Sequence, residues 1–134
     1  MIVIDASNLI LGRMANYAAK QALLGNEVRI INCEKAVISG RRENVFEEFF
    51  IRRERGTPRK GPFVHRMPDK IVRRTIRGML PYKKPSGMAA FKRLRVYSGM
   101  PKALEGKEIM RFAEKQKPVE CQFIRIEDIS RKLR

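Results

Sequence analysis

Two cysteines and a single histidine are the only thiol and imidazole side chains in these 134 residues. Cys33, His65 and Cys121 are widely separated and form no ligand pair of the C-x-x-C kind, which excludes a zinc framework. Two distant cysteines do not build a disulfide scaffold either, and both read as buried thiols, Cys33 as a small hydrophobe. No apolar run approaches the roughly 18–20 residues that a membrane span requires. The N-terminus, MIVIDASNLILGR, lacks the basic start and unbroken apolar stretch of a signal peptide, so the expected location is the cytoplasm. Glycine motifs for phosphate are also missing: there is no G-x-x-x-x-G-K-[ST], and Gly12 stands alone after the first apolar run. Acidic residues are scarce, 14 against 30 Lys and Arg. Asp5 lies where a nucleotide-binding fold places a carboxylate. With no second acid near it, it reads as the cap of the following turn. Aromatics make up 7% of the chain and mostly fall on apolar stripes, which argues against a single-strand stacking platform.

What is present in excess is positive charge, unevenly spread. The net charge is +16, and residues 41–102 hold 18 Lys/Arg against 5 Asp/Glu, or +13 of that total. Between Arg55 and Arg95 there are 13 bases and one acid, Asp69. Like charge at this density opposes compaction unless a polyanion neutralises it. Glycine and proline punctuate the same stretch, allowing close backbone approach and limiting loop entropy.

Hydrophobic residues make up 43% of the sequence, too many for a disordered basic tail and enough for a core in a single domain, 1–134. Its parts are a βαβ core (1–40), a basic region (41–102) and a C-terminal strand and helix (103–134). Ile2-Val3-Ile4 reads as a strand buried on both faces. Ser7 and Asn8 are candidate caps for a helix with Leu11, Met14, Ala15, Ala18, Ala19, Ala22 and Leu23 at helical spacing, stopped by Gly25-Asn26. Val28 to Ile31 forms a second strand, and the three elements predict a right-handed βαβ unit. A helix is expected over Arg42–Arg55, with its acids early and its bases late, as the helix dipole favours. Asp69 is expected to open a third helix that buries Ile71, Val72, Thr75, Ile76 and Met79. Lys70, Arg73, Arg74 and Arg77 then share the opposite face. Further on, a short helix is expected over Ser86–Lys92, a strand at Leu94–Tyr97, helix within Glu108–Gln116, a last strand at Cys121–Ile126 and a terminal helix from Glu127. Strands alternating with helices predict an α/β sheet with helices on both faces.

Four cations on one helical face, with basic loops at both ends, point to nucleic acid rather than to a solvated surface. The region has no helix-turn-helix, zinc framework or heptad dimeriser to read a major groove. Binding of a folded RNA by shape and phosphate is what remains. His65, flanked by cations and proline, reads as a phosphate or base contact and not as a general base.

Three blocks now carry a resemblance. They are DASNLILGRMANYAAKQALLGNEVRIINCEKAVISG, the run GP-x-x-x-R-x-P followed by R-R-x-I-R-G-M-L-P-x-K over Gly61–Lys83, and FKRLRVYSGMP. In this order and spacing the chain resembles the large-subunit ribosomal protein L-thirteen family over nearly its whole length. The ending in Gly-Met-Pro, the short lead into the first strand and the stop soon after Leu133 resemble its archaeal members. The resemblance implies a three-layer α/β/α domain on a small, mainly parallel four-stranded sheet. It implies a structural role on large-subunit ribosomal RNA beside neighbouring ribosomal proteins, with no catalysis, cofactor, metal or small-molecule substrate. Carried onto this chain, the RNA-facing residues are Arg59, Lys60, His65, Arg66, Lys70, Arg73, Arg74, Arg77, Lys83, Lys84, Lys92, Arg93 and Arg95. Two alternatives stay open: a free-standing RNA chaperone or regulator outside the ribosome, and an RNA-modifying enzyme with a pocket at the strand ends.

Overall fold

A computed structural model describes residues 1–110 and 121–134. In chain order its strands are β1 (Ile2–Asp5), β2 (Val28–Ile31), β3 (Val37–Ser39), β4 (Leu94–Val96), β5 (Ile109–Met110) and β6 (Phe123–Arg125). Its helices are α1 (Leu11–Leu23), α2 (Arg42–Glu54), α3 (Pro68–Gly78), α4 (Pro85–Arg93) and α5 (Ile126–Leu133). Short 3-10 turns lie at Cys33–Lys35 and Lys102–Leu104.

The main sheet has the order β4-β2-β1-β5, and every pairing in it is parallel. Alternation along the strands sorts side chains to two faces. Ile4, Val28, Ile30 and Leu94 enter one large core with α1, α3 and α5, while Val3 and Ile31 meet Leu104 on the other face. Among the described residues that second face is covered by the 3-10 turn Lys102–Leu104 and the partly buried Tyr97 and Ile109. On α1 the buried stripe is rich in alanine (Ala15, Ala18, Ala19, Ala22), and such small side chains let neighbouring helices approach closely.

Several expectations from the sequence are corrected here. The fourth strand of the sheet is Ile109–Met110, which pairs with Val3–Ile4, although this stretch read as the start of a helix. A two-residue apolar pair is too short to show any periodicity, and the open edge of β1 decides its conformation. The rest of that expected helix, 111–120, lies outside the described residues. The strand expected at Cys121–Ile126 shortens to β6, which pairs antiparallel with β3 in a separate two-stranded sheet. Phe123 and Arg125 are exposed around a buried Ile124, and a one-sided strand suits an antiparallel ribbon better than a parallel interior.

Ser7 and Asn8 do not cap α1, whose N-cap is Ile10 with no side-chain cap bond. Instead Asp5 Oδ1 accepts from Ser7 N at 3.0 Å, Ser7 Oγ at 2.7 Å and Asn32 Nδ2 at 3.0 Å, pinning the turn after β1 to the end of β2. Asn8 adopts a left-handed backbone (φ 58). At the end of α3, Met79 is exposed and Leu80 is buried in its place. Met79 N bonds Ile76 O at 3.0 Å and Leu80 N bonds Arg77 O at 3.1 Å. This tightening to three-residue closure turns each side chain further around the axis and carries Leu80 to the core side.

Candidate nucleic-acid interface

The apolar face of α3 fixes everything on its other side. Ile71, Val72 and Ile76 are buried, and Thr75 returns its hydroxyl to Ile71 O at 3.1 Å, so no polar group on that side lacks a partner. Pro68 sits in the first turn, where its missing N–H costs nothing. With the inner face locked, Lys70, Arg73, Arg74 and Arg77 are all exposed on the outer one. Arg73 lies over Phe91 of α4 with its guanidinium 4.6 Å from the ring centroid, and Arg77 lies over Tyr82 at 5.0 Å. Each such stack holds a long side chain in place without neutralising it.

Two turns flank the helix. Thr57 and Gly61 bond reciprocally (Thr57 N to Gly61 O 3.2 Å, Gly61 N to Thr57 O 2.8 Å), which puts Arg59 and Lys60 on a closed turn between them. A Cβ on Gly56 would fall 2.0 Å from Gly61 O, so this crossing of backbones requires glycine there. On the other side, Lys83 and Lys84 lead into α4. Its Gly87 is buried against the Pro81 carbonyl, 2.1 Å from where a Cβ would stand.

The expected RNA-facing residues fall into groups. His65, Lys70, Arg73, Arg74 and Arg77 line one groove together with Phe63 and Phe91. Arg73 also borders a depression along the edge strand β4 with Lys92 and Arg95. Arg66 joins Arg53 and Arg55 on a third surface beside Pro58 and Pro62. Arg59, Lys60, Lys83 and Lys84 stand outside these grooves, exposed on the two turns. Arg93 differs from the rest: it is half-buried and donates to Ala22 O, at the end of α1, at 3.4 Å.

Arg52, Arg53 and Arg55, at the basic end of α2, lie outside the expected RNA-facing set. The fold brings Arg52 and Arg55 against His65 and Arg74, so the basic surface extends onto α2. The run of bases from Arg52 to Arg95, interrupted only by the acids Glu54 and Asp69, was the available signal. Phe63, which lines the groove, also lies outside the expected set, because nothing in its sequence neighbourhood marks it as exposed.

Ion pairs among the described residues involve Arg29, Arg52, Arg125 and Arg131. None of the 13 cations between Arg55 and Arg95 is paired with a described acid. An uncompensated field of this size attracts a polyanion over distances of about 8–10 Å at ordinary ionic strength.

The sequence model of the family described as Ribosomal protein L13 matches residues 1–103, a span that includes the whole basic surface. The chain belongs to the ribosomal protein L13 family. Relatives extend the match through β6 and α5. A large ribosomal subunit protein uL13 of Methanococcoides burtonii is 45% identical over 135 residues, covering 99% of this chain and 97% of its own length. That of Picrophilus torridus is 43% identical over 131 residues, covering 98% and 95%. That of Methanopyrus kandleri is 50% identical over 103 residues, covering 77% and 65%.

The carboxyl ends of parallel strands are where an α/β fold places a ligand. There Asp5 is engaged by Ser7 and Asn32, a tie between the turn after β1 and the end of β2. Cys33, just beyond β2, is buried with its Sγ 3.5 Å from Ser98 Oγ, and burial pushes its thiol up to about 11. A thiol held in that state is a poor nucleophile. No helix among the described residues is long and apolar enough to cross a membrane.

Proposed function

We propose that this chain is a structural constituent of the large ribosomal subunit, where it binds and organises large-subunit ribosomal RNA during assembly of that particle in the cytoplasm. The observation that carries the reading is the unpaired cationic surface of α3 and its flanking turns, on a member of a family whose relatives bear the name of a large-subunit protein. Lys70, Arg73, Arg74, Arg77, His65 and Arg66 would contact phosphates directly. Lys92 and Arg95 extend the contact along β4, and Arg59, Lys60, Lys83 and Lys84 reach outward from the two turns. Arg93 comes into this set by family resemblance, but it is half-buried and bonds to Ala22 O, so we assign it to holding α4 against α1 rather than to phosphate. The role is one of holding RNA segments together, in contact with neighbouring ribosomal proteins, and it asks for no cofactor.

Binding to a large-subunit ribosomal RNA transcript, measured over a range of salt, tests it. With ~6 phosphates neutralised, log K should fall against log salt with a slope of about −4 to −5. A slope near zero would sink the electrostatic account. Sedimentation of cell extracts through a high-salt cushion separates a subunit constituent, which stays with the large particle, from a free-standing RNA regulator, which is washed off.

A further inference from the structure

Phe63 is 69% exposed, the most exposed aromatic ring among the described residues. It lines the basic groove together with His65, Arg73, Arg74, Arg77 and Phe91, and also borders the adjoining surface of Arg53, Arg55 and Arg66. Its position is built. A Cβ on Gly61 would lie 3.1 Å from both Cδ2 and Cε2 of Phe63, so one side of the ring rests on the Gly61 backbone while the remainder faces water. The Phe91 ring, by contrast, is already covered by the Arg73 guanidinium at 4.6 Å. The groove thus has one ring closed by a cation and one ring open, and no acid lines it.

We infer that the open ring of Phe63 is the seat of an unstacked nucleobase, extruded from folded RNA into the groove between α3 and the segment that precedes it. The inference deepens the RNA-binding reading above and rests on it. A nucleotide matches the groove twice over. Its base offers a flat π-face to the ring, and its flanking phosphates meet Arg73, Arg74 and Arg77. An apolar protein segment would match the ring alone and leave these cations unanswered. Arg73, held flat by Phe91, and His65 supply donors at the rim for the edge of the base. An exposed phenyl with no partner would gain nothing from the backbone support it has.

The chain contains no tryptophan, so a Phe63→Trp variant carries a single emitting indole at the proposed seat. Its fluorescence is followed during titration with a large-subunit ribosomal RNA transcript and, separately, with heparin, a polyanion without bases. Quenching by the RNA and none by heparin is the expected result. In parallel, Phe63→Ala should weaken RNA binding by roughly 5- to 150-fold, the range that loss of one base stack produces. Its salt slope should equal that of the parent, because no charge is lost. If the parent binds RNA with its steep salt dependence while Phe63→Ala binds equally well and the indole stays unquenched, the base seat is overturned and RNA binding stands. If the parent shows no salt-dependent RNA binding, the reading beneath it fails first. Quenching that appears only when other large-subunit proteins are added would assign the groove to a protein neighbour and overturn the proposal too.

Discussion

Arg29 donates from Nη1 to the main-chain carbonyl of Arg93 at 3.1 Å, and Arg93 donates in turn to the carbonyl of Ala22 at 3.4 Å. These two arginines tie β2, the end of α4 and the end of α1 into one corner. The Ala22 carbonyl lies in the last turn of α1, where a cation is favourable, and it also accepts from Gly25 N at 3.2 Å. Arg93→Met should therefore lower unfolding stability by about 1–2 kcal/mol while leaving the RNA salt slope near that of the parent. Arg74→Met should do the opposite. Urea titration and salt-dependent RNA binding on both variants check this, and equal loss of slope in the two would return Arg93 to the RNA face.

Replacing Arg73, Arg74 and Arg77 together with Gln should reduce the salt slope by about 2–3 units. The domain should still fold, but with a cost. Two of the three stack on Phe91 and Tyr82, and each lost stack at an exposed site is worth about 0.5–1 kcal/mol. Ile76→Ala acts on the other face of the same helix. It should destabilise by roughly 2–5 kcal/mol with the slope preserved. A triple variant that fails to fold would mean the two faces of α3 are wrongly assigned.

Glycines should divide by what surrounds them. At Gly87 a new Cβ would stand 2.1 Å from Pro81 O, a main-chain atom that cannot swing aside, so Gly87→Ala should destabilise and displace the turn carrying Lys83 and Lys84. At Gly12, early in α1, nothing lies within 4 Å. There Gly→Ala should raise stability by up to about 0.5–1 kcal/mol through reduced chain entropy alone. Thermal unfolding of the two variants should shift in opposite directions.

The buried Cys33 thiol predicts a pH dependence whose sign follows from its shift from 9.0 to about 11. In that window the unfolded chain releases the thiol proton and the folded chain keeps it, so the folded state binds more protons and stability falls as pH rises. Below pH 9 the contribution is fully present, and by pH 11 it has declined by roughly 2–3 kcal/mol. The comparison that isolates it is the parent against Cys33→Ala, which should lack this alkaline decline. If both decline equally above pH 9, other groups account for the loss.

The same thiol should differ from its partner in reactivity. Cys121 is exposed, where the sequence read as a buried thiol, and Cys33 is fully covered. A thiol reagent at neutral pH should modify one cysteine rapidly and the second only on unfolding. Rapid modification of both would contradict the burial of Cys33.

How far the sequence reached is best judged element by element. The parallel β1-α1-β2 unit, α2, α3, α4 and α5 could be read from it because each has its own local signal: a β-branched run, an apolar stripe at helical spacing, or a proline or glycine at an end. The cationic face of α3 was legible for the same reason, since Ile71, Val72 and Ile76 dictate which side of one helix is left to Arg73, Arg74 and Arg77. Pairings between distant segments were not. Ile109–Met110 becomes a strand only because β1 has a free edge, and Val37–Ser39 only because Phe123–Arg125 arrives beside it. Residue-level function at the interface was decided in the same way. Arg93 and Arg95 are two residues apart on one basic run, yet one reaches the end of α1 and the other lies exposed on an edge strand. Phe63 and Phe91 look alike in sequence, but only one of them lies beneath a guanidinium. Periodicity is a property of a few consecutive residues and survives in one dimension. Which cation finds a carbonyl, and which ring is left open, depends on contacts between segments far apart in the chain, and those exist only once it has folded.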